Sequence, residues 1–494
     1  MKKSVMSNNP GSHTQNTSPN LLSNLAWKFS ERTLSQLIKL VIAIILARIL
    51  GPRDYGLVGM VTVFIALSYV IVDGGFNNAL IQKKNSDALD FSTVLYFSVT
   101  CSLFIYALLF VCAPYIAAFY GEGYEELTPI LRVLGLQVVI YSMNSVQQAY
   151  VAKRMMFKKF FFATTWGTVI SGAIGLYMAY NGFGVWALVW QGIMAAFIEL
   201  VALYLVTRKR PLLAFSLERL KGLFRYGVNI FAGSVLISIY TEMRSLIIGK
   251  LYTPQDLGFY TKGRAYPNLV VTNINTSIGA VLFPKISLEQ NDLAKVKATT
   301  RNSIRFSAYV MFPFMLGLAA VAEPLIRLLL TEKWLPCVSL LQWFCIVYLF
   351  QPIHTANIQA IKAIGRSDIF LKLEILKKTL ELVSLLAVMW ISVEAIVINM
   401  AVMTTLFTFI NAYPNRKLIN YTYKEQFHDM ASPLGMVVVM VAAMLSVRLF
   451  VSNDLLLLLT QTATGLLVYV VLSAMTNNKE YQFILHTIKS RLGK

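Results

Sequence analysis

Fourteen stretches of about 20 or more largely apolar residues, separated by short polar segments, decide what this chain can fold into. They fall near 24–50, 56–82, 91–118, 127–151, 160–181, 183–207, 226–249, 265–284, 306–330, 336–361, 368–391, 393–413, 431–451 and 454–476. A helix rising about 1.5 Å per residue crosses a hydrocarbon core of roughly 30 Å in one such stretch. Lipid offers the backbone no hydrogen-bond partner, so each crossing has to be helical. Composition agrees. Of the 494 residues 56% are hydrophobic and only 14% charged, where a soluble domain carries about 25% charged residues. The expected fold is an all-α polytopic membrane protein with about 14 transmembrane helices.

Lys and Arg between the stretches set the orientation. Segments 83–84, 153–159, 208–225, 285–305, 362–366 and 415–417 and the tail hold most of the 44 basic residues, whereas 120–126, 181–184 and 452–454 hold none. This predicts a multi-pass protein of the bacterial cytoplasmic (inner) membrane with both termini cytoplasmic. The net charge of +20 is then topological. It is split among loops, which argues against nucleic acid and for attraction to anionic membrane lipid. Residues 1–22 are polar and rich in Ser and Asn, lack the apolar core of a signal peptide, and read as a disordered cytoplasmic tail. Cys101, Cys112, Cys337 and Cys345 sit in apolar runs with no metal or disulfide spacing.

The chain also says one thing twice. LARILGPRDYGLVG (46–59) returns as IGKLYTPQDLGFYT (248–261). Arg48, Pro52, Asp54 and Gly56 meet Lys250, Pro254, Asp256 and Gly258 at one constant spacing of 202 residues. Pro129, Leu134 and Tyr141 meet Pro336, Leu341 and Tyr348 at a spacing of 207. Pro, Asp and Gly suit any turn between helices, but the spacings agree. Six stretches separate the copies, so both point the same way. The expectation is two parallel six-helix bundles, 23–207 and 226–413, related by a pseudo-two-fold axis along the membrane normal, with two appended helices (431–476). A basic cytoplasmic linker (208–225), a cytoplasmic loop (414–430) and a basic cytoplasmic tail (477–494) complete the division. Such halves enclose a cavity, and rocking them alternates access to it.

Charges inside the stretches indicate what that cavity takes, because each costs at least about 2.5 kcal/mol at the bilayer centre unless it meets water or a partner. The first stretch carries Arg32, Gln36 and Lys39, and the seventh Glu242 and Arg244. The fourth carries Asn144 and Gln148, the tenth Gln351 and His354, and the eleventh Lys377, Lys378 and Glu381. The functional reading is a net-basic aqueous cavity for an anionic, hydroxyl-rich substrate. The plainer reading is that Arg32 snorkels to the surface and that Arg244 pairs with Glu242 or Glu381 as internal glue. Asp73, before a Gly pair, holds a helix break or couples to an ion; Glu242 and Glu381 are the other ion-coupling candidates. No nucleotide, metal or nucleophile motif is present, and the outside loops are too short to hold a catalytic site, so an enzyme is not expected.

LARILGPRDYGLVGMVTVFIAL, DGGFNNALIQKK, QQAYVAKRMMFKKF, GFGVWALVWQ, IIGKLYTPQDLGFYTKGRAYPNLV, VLFPKIS and NIQAIKAIGRSDIFLKLEILKK occur in order over about residues 25–380. Together they resemble the Wzx-type lipopolysaccharide and exopolysaccharide exporters, in the colanic-acid-exporter-like branch. These belong to the multidrug/oligosaccharidyl-lipid/polysaccharide flippase superfamily. The resemblance implies a flippase for undecaprenyl-pyrophosphate-linked oligosaccharide repeat units, destined for O-antigen, capsule or exopolysaccharide. It implies a cationic cavity, which Lys39 and Arg244 fit by position, and coupling to an H⁺ or Na⁺ gradient with no other cofactor. Polysaccharide polymerase and chain-length proteins are the implied partners. Three alternatives remain open. A drug/cation antiporter of the superfamily would want acidic cavity residues, a lipid-II-type flippase shares the lipid carrier, and a non-transporting scaffold would use the inner basic loops for docking.

Overall fold

The computed structural model describes residues 35–83, 85–207 and 212–492. Arg32 and the tail before it lie outside the described residues. No strand occurs among those described. In chain order the helices are α1 (35–49), α2 (Pro52–Asp73), α3 (Phe76–Gln82), α4 (Ala88–Tyr120), α5 (Leu127–Leu134), α6 (Leu136–Lys153), α7 (Phe157–Tyr180), α8 (Val185–Thr207), α9 (Leu217–Leu251), α10 (Pro254–Glu289), α11 (Leu293–Ala320), α12 (Ala322–Leu330), α13 (Cys337–Leu349), α14 (Gln351–Ala363), α15 (Ser367–Val388), α16 (Val393–Leu418), α17 (Tyr423–Val447), α18 (Asp454–Met475) and α19 (Lys479–Leu492).

Over its described residues each of the fourteen expected stretches coincides with helix, but among those residues eleven segments are long and apolar enough to cross a membrane. The other three are α1, described only from residue 35, and the polar helices α10 and α15. α10 carries Asn268, Asn273 and Asn275, and α15 carries Glu374, Lys377, Lys378 and Glu381. Hydropathy alone does not make these three into spans. Large apolar side chains such as Phe104, Val111, Leu205, Leu236 and Leu466 stand exposed on the other helices, as in a protein whose outer solvent is lipid. The chain is a multi-pass membrane protein.

Several expected loops are helical. α16 runs through Pro414 to Leu418 and α17 starts at Tyr423, so little of 414–430 is loop. The Thr422 hydroxyl accepts from the Glu425 amide, and the Glu425 carboxylate accepts from Thr422 N–H, a capping box that starts α17 early. The second half of the 208–225 linker belongs to α9, and the tail forms α19.

The chain divides into two compact units. The first comprises the described part of Met1–Leu46 with Phe64–Ala118 and Glu122–Thr241. Its core gathers Phe76, Leu80, Val94, Val146, Leu220 and Leu223 from α3, α4, α6 and α9. α2 stops at Asp73 because Gly74 and Gly75 take φ of +52° and +75°, open to glycine at little cost. A Cβ on Gly75 would fall 2.5 Å from the Gly227 carbonyl oxygen, so the break is also where α9 crosses backbone to backbone.

The second unit comprises Ala47–Val63, Phe119–Gly121 and Glu242–Lys494, and holds both copies of the repeat. Each copy opens a helix with the same chemistry. Pro at the first helical position lacks the N–H that would go unsatisfied there. The Asp two residues later accepts the cap N–H: Gly51 N–H donates to Asp54 Oδ2 at 2.9 Å, and Thr253 N–H to Asp256 Oδ2 at 3.1 Å. The glycines have a second use. A Cβ on Gly56 would fall 1.7 Å from the Pro254 oxygen, and one on Gly258 2.1 Å from the Pro52 oxygen. The contact is reciprocal: each copy's glycine seats the other copy's proline. Trp334 Nε1 donates to the Ala47 oxygen at 2.8 Å and Lys333 Nζ to the Arg48 oxygen at 2.7 Å. Lys250 Nζ donates to the Phe119 oxygen. Lys262, buried, lies 3.8 Å from the Tyr55 ring centroid.

Candidate functional site

α15 places Glu374, Lys377, Lys378 and Glu381 three and four residues apart, hence on neighbouring turns of one face. Lys377 Nζ donates to Glu374 at 2.6 Å and Lys378 Nζ to Glu381 Oε2 at 3.3 Å. Glu381 also receives the guanidinium of Arg244, reaching from α9. Arg244 and Lys377 are both buried. One carboxylate is thus shared by two cations, and the formal charges of Arg244, Lys378 and Glu381 sum to +1. Nearby, Arg264 Nε donates to the Tyr348 hydroxyl at 3.1 Å, and Glu242 is close enough to Arg264 to interact electrostatically. Of the two glutamates expected as ion-coupling candidates, Glu381 thus pairs with an arginine.

A second polar seam in the same unit joins α14, α16 and α17. His354 Nε2 and Thr408 Oγ1 are 2.8 Å apart. Asn415 Nδ2 donates to Asn357 Oδ1 at 2.7 Å, and Asn357 Nδ2 to Gln426 Oε1 at 3.2 Å. Asn357, Asn411 and Asn415 are fully buried. Neither side-chain atom of Asn411 has a hydrogen-bond partner among the described residues, an unusual state for a buried amide. Gln351, half-buried, begins α14.

In the first unit, Lys39 is exposed on α1 and Gln36 half-buried. Asn144 Nδ2 donates to the Ala196 oxygen at 2.9 Å, and Gln148 Nε2 to Glu199 Oε1 at 2.8 Å, so these two amides tie α6 to α8. Such interhelical bonds fit a membrane interior, where an amide facing lipid would have no partner. Tyr69 stacks on Tyr141 at 4.2 Å between ring centroids, with its hydroxyl donating to Gln137 at 3.0 Å.

Arg244, Lys378 and Glu381 are thus brought together, with Lys377 beside them; Asn144 and Gln148 share a helix pair; Arg32 lies outside the described residues. Sequence reasoning missed the fully buried Asp90, held by Lys83 at 2.7 Å and Arg219 at 3.2 Å. The pattern Asp87–Ala88–Leu89–Asp90 before an apolar run was its visible signal. Lys262 and Arg264 were missed as well, their aromatic partners lying more than 70 residues away in sequence.

A family model described as "Polysaccharide biosynthesis protein" matches residues 45–339. The chain is 25% identical over 314 residues to the succinoglycan biosynthesis transport protein ExoT of Rhizobium meliloti (strain 1021), covering 63% of each protein. It is 24% identical over 339 residues to the lipopolysaccharide biosynthesis protein WzxC of Escherichia coli (strain K12), covering 67% of this chain and 68% of that one. The match to ExoT thus spans less than two thirds of that relative. Among solved structures, the lipid II flippase MurJ in an inward closed conformation superposes with a TM-score of 0.75 at 13% identity, over 93% of this chain and all of that one. At that identity the likeness is one of fold.

Proposed function

Because this chain belongs to the polysaccharide biosynthesis protein family, we propose that it is a flippase that moves a polyprenyl-pyrophosphate-linked oligosaccharide across the bacterial cytoplasmic membrane, from the cytoplasmic to the outer leaflet. ExoT, a relative named as a biosynthesis transport protein, supports transport rather than synthesis. The observation that carries the reading is the Arg244–Glu381–Lys378 cluster, on helices within a membrane protein of this family. A pyrophosphate does not cross hydrocarbon unaided, and sugar hydroxyls find no partner there. Cations held in place by a shared carboxylate can accept a phosphate with little reorganisation, and side-chain amides can accept hydroxyls.

The reciprocal seating of Gly56 on Pro254 and Gly258 on Pro52 supports two parallel six-helix bundles related by a two-fold axis, with fourteen spans in all. In a flippase of that kind, rocking about the axis carries the head group while the polyprenyl tail stays in lipid. Polysaccharide polymerase and chain-length proteins act downstream. An H⁺ or Na⁺ gradient drives the cycle, with Asp73, Glu242 and Glu381 the candidates to sense it. Both termini are cytoplasmic.

The test is charge reversal at the exposed Lys39, which has no ion pair to break among the described residues. Lys39→Glu should abolish surface polysaccharide while the protein still accumulates in the membrane. Full polysaccharide production would remove Lys39 from the substrate path.

A further inference from the structure

The exposed side chains of residues 212–225 present a surface that neither the fold nor the proposed transport uses. They lie between two spans, Val185–Thr207 and Ile230–Leu251, so they sit at a bilayer surface. Leu212, Leu213, Ala214, Phe215 and Leu217 are all exposed, Leu213 at 98%. The segment is nevertheless fixed in place. Leu212 N–H donates to Ser92 Oγ at 2.7 Å and Ser216 N–H to Thr93 Oγ1 at 3.2 Å. Arg219 is spent on Asp87 and Asp90. Leu220 and Leu223 turn inward to the core of the first unit. Anchored from behind, the strap holds its apolar side chains outward.

α9 has 35 residues, about 52 Å of helix, against about 30 Å of hydrocarbon. Its first turns therefore project beyond the span. There Lys221 and Arg225 are exposed with no ion-pair partner among the described residues, beside exposed Phe224. In sequence, Arg208, Lys209 and Arg210 precede the strap, and Glu218 is the one acid between 208 and 225. Apolar groups and unspent cations at one depth are the composition of an interfacial lipid-binding element. A surface loop in water has no use for Leu212, Leu213, Phe215 and Leu217 together.

We propose that residues 212–225 form an interfacial strap that inserts its apolar side chains into the adjoining leaflet and gathers anionic phospholipid head groups around Lys221 and Arg225. The experiment places a bimane fluorophore at Leu213→Cys in the full chain, with the half-buried Cys101 and Cys112 changed to serine and the buried Cys337 and Cys345 left in place. The protein is reconstituted in vesicles of phosphatidylcholine and phosphatidylglycerol. The fluorophore should be quenched by brominated lipid and not by aqueous iodide. At equal mole fraction, brominated phosphatidylglycerol should quench more than brominated phosphatidylcholine. Lys221→Gln with Arg225→Gln should remove that preference, by up to about fivefold per cation at low ionic strength. Quenching by iodide would overturn the inference and leave the strap to a water-borne partner. Equal quenching by the two lipids in the unsubstituted strap would overturn the head-group selectivity. Neither readout requires transport, so the strap and the flippase reading stand or fall separately.

Discussion

Gly56 and Gly258 each lack the one side-chain atom that the opposite copy's backbone would reject. A methyl group 1.7 Å or 2.1 Å from a carbonyl oxygen forces the helices apart, and backbone cannot rotate away as a side chain can. Gly56→Ala or Gly258→Ala should therefore lower stability by about 3 kcal/mol, the upper end of overpacking costs, read as a fall in the detergent-solubilised melting temperature. A change within error would mean that the crossing is slack. At Arg244 the question is whether the guanidinium serves Glu381 or a substrate. Glu381→Gln alone strands Arg244 beside Lys378 without their shared anion and should cost about 3 kcal/mol. The double change Arg244→Gln, Glu381→Gln should regain much of that stability without regaining polysaccharide export. Export by the double variant would make the pair structural only. Sequence reading reached these residues but left Arg244's partner open between Glu242 and Glu381. The choice depends on where α15 crosses α9, and no local pattern encodes that.

Among the elements, the start of α4 shows what a cap does in a membrane protein. Asp87 accepts the Asp90 amide at 3.0 Å, and Asp90 accepts the Asp87 amide at 3.2 Å along with Lys83 and Arg219. Lys153 reaches the same corner, donating to the Leu80 and Lys83 carbonyls and to the Ser86 hydroxyl. Asp90→Asn should cost about 2 kcal/mol, as for charge-assisted hydrogen bonds, visible as a lower melting temperature; an unchanged one would show the clasp to be idle. The hydrogen bond from the Asp90 amide, followed by Arg219, holds the Asp87 carboxyl below the usual carboxylate range. A depressed pKa means that this contribution is present above the unfolded carboxylate value and fades as pH falls through the folded one. Acidification should weaken the clasp in the parent protein and less so in Asp87→Asn. Helices were legible from apolar runs, but their ends were not. α4, α9 and α10 run 33, 35 and 36 residues, beyond the lipid on one side or the other, and hydropathy cannot see the protruding turns. The sequence reading starts a loop at 414, yet α16 continues through Pro414 to Leu418, a proline that membrane helices tolerate.

For the whole molecule, the repeat was the most informative reading. Its Pro and Asp were legible as turn chemistry, whereas its Gly was legible only as a turn residue. Its use in joining two segments 202 residues apart needed the fold. The class of protein followed from the apolar runs. The polar character of α10 and α15, with α1 described only from residue 35, is what kept the count of spans from settling at fourteen. The central claim, that this chain carries a lipid-linked oligosaccharide from one leaflet to the other, is most directly tested in cells lacking it. Their polyprenyl-linked oligosaccharides would be extracted, weighed by mass spectrometry and assigned to a leaflet by labelling with a membrane-impermeant reagent. A complete repeat unit stranded on the cytoplasmic face, released by restoring the protein, is the predicted result. The same unit at normal level on the outer face, with polymer still made and no second flippase present, would contradict it.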